Sequence, residues 1–133
     1  MKVVLDTNTL VSGIFWKGTP HTVVRAWAES VFEVIISQDI LEEYLAVLKR
    51  LDPKGDMAES WTVFISENAT VVSGRYRLKL SRDPADDKFI VAAILGRADY
   101  IVSGDKDLLS LHDRSPVPIL NPRKFLAVLR GSY

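Results

Sequence analysis

An α/β fold, with helices covering both faces of a mainly parallel sheet, is what this sequence predicts. Three observations carry the expectation. Short β-branched runs alternate with amphipathic helical stretches along the chain, the strand-like runs are continuously apolar, and Asp6 and Asp105 each stand just after such a run. Continuous apolarity marks a strand buried on both faces, as in parallel sheets packed under their own crossover helices.

Val3, Val4 and Leu5 form the first run, which ends at Asp6; polar Thr7, Asn8 and Thr9 then read as a loop before an apolar helical stretch. Lys17, Gly18, Thr19 and Pro20 punctuate the chain, after which Val23, Val24, Trp27 and Val31 recur at helical spacing. Phe32 to Ile36 is the second strand. Ser37 is placed to N-cap a helix from Gln38 to about Leu51, stopped by Asp52, Pro53 and Gly55. A further helix is expected over 57–67, a strand over 69–73, and an alternating extended segment over 75–80. Pro84 precedes a helix over 86–95, Tyr100 to Val102 makes a buried strand, and Gly104 opens a loop. Val117 to Leu120 is the last strand, followed by Asn121 as N-cap and Pro122 as first residue of a terminal helix.

Size and composition narrow the function classes. A chain of 133 residues with 47% hydrophobic residues fits one globular domain. Lys plus Arg and Asp plus Glu both number 17, so any affinity for nucleic acid must be local rather than a property of net charge. The absence of cysteine excludes disulfides, thiolate zinc sites and thiol nucleophiles. The opening MKVVLD lacks the apolar stretch of a signal peptide or membrane span, so a cytoplasmic protein without membrane association is expected.

The residues suited to chemistry are acidic: Asp6, Glu43, Asp87, and the pair Asp105 and Asp107. Each has an ordinary alternative. Asp6 can cap or turn the chain, the stretch from Ser103 to Asp107 is good turn chemistry with Asp107 able to cap a short helix, and acids at 83, 86 and 87 suit a helix start. Together they say more. If the strands before Asp6 and Asp105 are neighbours, both carboxylates emerge at one rim, within reach of a helix start carrying Asp87. Such crowding raises pKa values and costs stability unless a divalent cation neutralises it, and oxygen-only ligands favour Mg²⁺ or Mn²⁺ over zinc. That set suits activation of water against a phosphodiester. Glu42 and Glu43 flank the apolar face of their helix on opposite sides, and geometry alone does not choose between them.

Four segments then resemble the motifs of the PIN-domain nucleases, in order. They are Val4-Leu5-Asp6-Thr7-Asn8 continuing to Gly13; Ser37 through Leu48; Arg82-Asp83-Pro84 with Asp86-Asp87-Lys88-Phe89; and Ile101 through Leu109. The resemblance implies a three-layer α/β/α sandwich and divalent-metal-dependent RNA hydrolysis leaving a 5′-phosphate. It further implies Asp6, Glu43, Asp87 and Asp105 as the site acids, chooses Glu43 over Glu42, and leaves Asp107 as an outer ligand or a cap. Asn8 and Ser103 become candidates for orienting the carboxylates. The chain closely resembles the subgroup of toxins in toxin-antitoxin pairs, which implies RNA as substrate, an antitoxin protein as partner, and a homodimer. An RNA-processing nuclease outside such a pair, or a catalytically silent scaffold of the same fold, are the alternatives.

Other features read more plainly. His21 and His112 suit surface or packing roles, and Trp16, Trp27 and Trp61 suit the core. Arg75, Arg77 and Lys79 alternate with Tyr76, Leu78 and Leu80, giving a basic face that either follows a phosphate backbone or protects a sheet edge. A haloacid-dehalogenase-like phosphatase would need a second Asp where Asn8 stands, and a receiver-like module would need a phosphoacceptor Asp that is not evident.

Overall fold

The computed structural model describes residues 1–80 and 84–131. Five strands, β1 (Lys2–Leu5), β2 (Glu33–Ile36), β3 (Thr70–Val71), β4 (Tyr100–Val102) and β5 (Ile119–Leu120), form one sheet in the order β3-β2-β1-β4-β5. Every neighbouring pair is parallel, so the expected mainly parallel sheet is an entirely parallel one. The helices are α1 (Thr7–Phe15), α2 (Thr19–Ala28), α3 (Gln38–Leu51), α4 (Asp56–Asn68), α5 (Pro84–Leu95), α6 (Lys106–Leu109) and α7 (Pro122–Leu129).

From β1 the chain steps outward to β2 and β3, then crosses to β4 on the other side of β1 and ends at β5. Right-handed crossovers taken in opposite directions lie on opposite faces of a sheet. Helices α1 to α4 therefore cover one face and α5 the other, with α7 folding back against α2. The sandwich buries both sides of β1, whose Val3, Val4 and Leu5 are fully inaccessible. Each such side chain contributes roughly 1.5–3 kcal/mol relative to exposure, which is why the strand carries no polar alternation.

Several local expectations need correction. No loop follows Asp6: α1 begins at Thr7 because the Asp6 carboxylate accepts the Thr9 N–H at 2.8 Å and caps the helix. Helix α2 stops at Ala28 and Ser30 takes a left-handed φ of 63°, so Val31 leaves the helical face and is 52% exposed. Trp27 and Trp61 pack on Phe64 as core aromatics, but Trp16 is 58% exposed, because the extended backbone that ends α1 carries it off the packed face. Residues 75–80 pair with no strand among the described residues. Arg82 and Asp83, part of the third motif, lie outside the described residues.

Helices α1 and α2 touch at Gly13. A β-carbon there would lie 2.5 Å from the Pro20 carbonyl oxygen and 2.4 Å from Val24 Cγ2. A backbone oxygen cannot yield as a flexible side chain does. Gly13→Ala is therefore expected to destabilise by about 1–3 kcal/mol despite the better helix propensity of alanine, read as a lower urea midpoint at unchanged slope.

Candidate active site

The parallel register sets the site. Leu5 pairs with Val102, and Val102 with Leu120, so Asp6, Ser103 and Asn121 stand side by side one position past the strand ends. Ser37 takes the same place after β2. Asp6, Ser37 and Asn121 also N-cap α1, α3 and α7, so the rim where the strands end is where the helices present their positive ends. Between β1 and β4 the outward course of the chain reverses. That switch point opens a crevice beyond the strands.

Asp6 is at its floor, 4% exposed. One carboxylate oxygen accepts the Thr9 N–H, and the other accepts the Ser103 hydroxyl. Ser103 Oγ in turn accepts the Asp105 N–H at 2.9 Å, and Asp105 caps α6 by accepting the Asp107 N–H at 2.9 Å. Ser103 thus couples the two acids expected at this rim. The cap of α6 is Asp105 rather than Asp107, because an N-cap must precede the first turn.

Helix α3 supplies Glu43 from the opposite wall. Its two oxygens receive the Thr7 hydroxyl and the Lys88 ammonium, the latter at 2.6 Å. Glu42 is exposed, with a 3.4 Å contact from Gln38. One residue further on, Tyr44 is fully buried and donates its hydroxyl to the Leu5 carbonyl, tying α3 to the end of β1. Burial first, then the negative charges of Asp6 and Glu43, keep the Tyr44 phenol protonated well above its usual range.

A cleft of about 440 Å³ runs between these walls, lined by Asp6, Asn8, Glu43, Arg50, Asp86 and Asp105 among others. Asp87 does not line it. That residue is buried, accepts the Leu80 N–H at 3.4 Å, and faces an adjoining cleft with Lys88. Successive helical residues point about 100° apart, so Asp86 and Asp87 diverge, and here Asp86 shares the cleft with Asp6. Asp107 lines a third cleft, reached past Asn8 and Asp105. Asn8 is exposed and lines both.

Burial is the main cause that raises the Asp6 carboxyl above its ordinary range. The bonds from Ser103 and Thr9 lower it, and Asp105 repulsion comes last among the causes. For Asp6, then, desolvation outweighs repulsion from a neighbouring carboxylate. Among the described residues no three His, Cys, Asp or Glu side chains converge closely enough to hold an ion. The donor set still fits a hard divalent cation. Its acids offer only oxygen, no cation among the described residues pairs with the buried Asp6, and Mg²⁺ needs only one or two carboxylates with several waters. His21 and His112 are turned to the backbone oxygens of Gly13 and Ile119 instead.

Sequence alone assigns no site role to Thr7, Tyr44, Arg50 and Lys88, and Asp86 reads there only as an acid suited to a helix start. Tyr44 reads as one more apolar position at helical spacing after Ile40. Thr7 and Lys88 act through residues 36 and 45 positions away, which no local pattern reveals.

The site is thus an acid-lined crevice at the switch point of a parallel α/β sheet. The PIN domain family matches residues 2–107, and the chain belongs to that family, whose members are generally nucleases. An uncharacterized protein of Methanocaldococcus jannaschii, MJ1680, is 31% identical over 124 residues, spanning 86% of this chain and 77% of that protein. The fold is similar to VapBC2 from Rickettsia felis, solved bound to a DNA fragment from its promoter. The TM-score is 0.62 at 16% identity, covering 91% of this chain and 98% of the other. Among the described residues no helix is long and apolar enough to cross a membrane.

Proposed function

We propose that this chain is a Mg²⁺- or Mn²⁺-dependent endoribonuclease acting as the toxin of a toxin-antitoxin pair. The observation that supports it best is the buried Asp6, hydrogen-bonded through Ser103 to Asp105 across the switch point and facing Glu43 over an oxygen-lined cleft. Asp6, Glu43 and Asp105, with a carboxylate from the start of α5, would hold the ion. Position favours Asp86 for that fourth place, whereas the family motif favours Asp87. Once bound, the ion would lower the pKa of a water and offset charge on the phosphodiester.

The protein's own groups prepare for this. Ser103 and the Thr9 amide aim the Asp6 carboxylate, and Thr7 fixes one oxygen of Glu43. Tyr44 sets the distance between α3 and the strand end without contributing charge. Lys88 occupies the other Glu43 oxygen and balances its charge, a contact that cation binding would have to loosen.

Defined single-stranded RNAs incubated with the purified chain and Mn²⁺ should be cut to products bearing 5′-phosphates, with no cutting in EDTA. Cleavage indifferent to EDTA would sink the metal-dependent reading, and none under any metal would favour a silent scaffold. The toxin reading draws on the family resemblance and on the similarity in fold to VapBC2. It predicts a neighbouring small gene for an antitoxin with a DNA-binding pattern, whose co-expression relieves growth arrest. A homodimer is proposed on the same ground, to be read by light scattering.

A further inference from the structure

An acid-lined cleft repels a polyanion, so the attraction for a nucleic-acid strand has to come from cations outside it. Residues 73–80 contain three cations, Arg75, Arg77 and Lys79, and no acid, within a chain of zero formal net charge. All three are exposed, and among the described residues none of them makes an ion pair. Among the described residues this segment belongs to no strand, so these cations do not line a sheet edge there.

Its position is fixed at both ends. The Val72 N–H donates to the Ile36 carbonyl at 2.8 Å, and Gly74, at a φ of 144°, lets the chain pass close to Leu95, where a β-carbon would lie 3.2 Å from a methyl group. At the far end the Leu80 N–H meets Asp87. Leu78 and Leu80 are half-buried against the core while Arg77 and Lys79 are exposed, the alternation of an extended chain. Cations two residues apart on such a chain are about 6.6 Å apart, comparable with successive phosphates of an extended single strand. Tyr76, 48% exposed, shares the side of Leu78 and Leu80, so the cations have their own side of the segment to themselves. Leu80 thus meets α5 at the residue next to Asp86, which lines the acidic cleft, and the adjoining cleft of about 440 Å³ includes Ser73, Gly74 and Lys88.

We propose that Arg75, Arg77 and Lys79 form a track that grips the backbone of single-stranded RNA and leads it to the acidic cleft. This rests on the ribonuclease reading above. The charges should act on the salt dependence of binding, and the tyrosine should not.

The test is fluorescence anisotropy of a labelled single-stranded RNA with the full chain and Mg²⁺, in an Asp6→Asn background that stops cleavage, over a series of salt concentrations. Changing all three cations to Gln should reduce the slope of log affinity against log salt by about 2, three contacts at roughly 0.7 each. Each single change should remove about a third of that. Arg75→Lys with Arg77→Lys should keep the slope, and so should Tyr76→Ala, on the other side of the segment. An unchanged slope in the triple variant, with RNA still bound and cleaved by the parent chain, would overturn the track alone and leave the strip to a protein partner. A parent chain that neither binds nor cuts RNA would overturn the ribonuclease reading and the track with it.

Discussion

Replacing Asp6 by Asn is expected to lower RNA cleavage by more than about 100-fold, beyond the 10- to 100-fold typical of a residue that only orients a metal ligand. The fold should survive. Asn can still accept the Thr9 N–H through its amide oxygen, and the variant's amide hydrogens turn toward Ser103 Oγ. Stability should move the opposite way from activity. Because burial raises the folded-state carboxyl above 3.8, ionised Asp6 costs stability above its folded pKa, and the cost vanishes as pH falls below the unfolded value. Metal-free wild type should therefore melt below the variant at neutral pH, with the gap closing under acid. Added Mg²⁺ should raise the wild-type melting temperature and not the variant's. Wild-type cleavage rates in Asp6→Asn would remove this residue from the site. The same assay decides between the neighbours on α5: the larger loss is expected for Asp86→Asn, and the reverse order would return the role to Asp87.

Glu43→Gln should also cost about two orders of magnitude or more in cleavage, whereas Glu42→Gln should stay within a factor of two or so of wild type. Glu43 accepts from Thr7 and Lys88 with both oxygens; a Gln nitrogen can donate to a rotated Thr7 hydroxyl, but the ammonium of Lys88 is then left facing an amide oxygen without its charge. Glu42 points to solvent from the other side of α3. The stability change for Glu43→Gln should be small, within about 1 kcal/mol, because the Lys88 pair is partly solvated, with side chains 19% and 35% exposed. A large loss of activity beside a small loss of stability separates a chemical role from a structural one. Little effect at either glutamate would show that α3 supplies no ligand.

Much of this was legible in the chain itself. Val3 to Leu5 and Tyr100 to Val102 announced buried strands because no polar residue interrupts them. Ser37 and Asn121 announced helix starts because their short oxygens reach the third amide onward, at 3.3 Å to Ile40 and 2.8 Å to Lys124. Glu43 emerged over Glu42 through resemblance, and the structure turns Glu43 toward the cleft and Glu42 toward solvent.

Sequence by itself determined the element types, their order, and the acids at the ends of β1 and β4, because hydrophobic period and capping chemistry act over a few residues. Tertiary structure alone decided what those acids meet. That β1 lies beside β4, so that Ser103 bridges Asp6 and Asp105, follows from strand order. That Lys88 and Thr7 share Glu43, that Tyr44 holds the Leu5 carbonyl, and that Asp86 rather than Asp87 lines the cleft follow from the rotation and docking of α3 and α5. A rotation of one residue about a helix axis is about 100°, and only packing against the sheet fixes it.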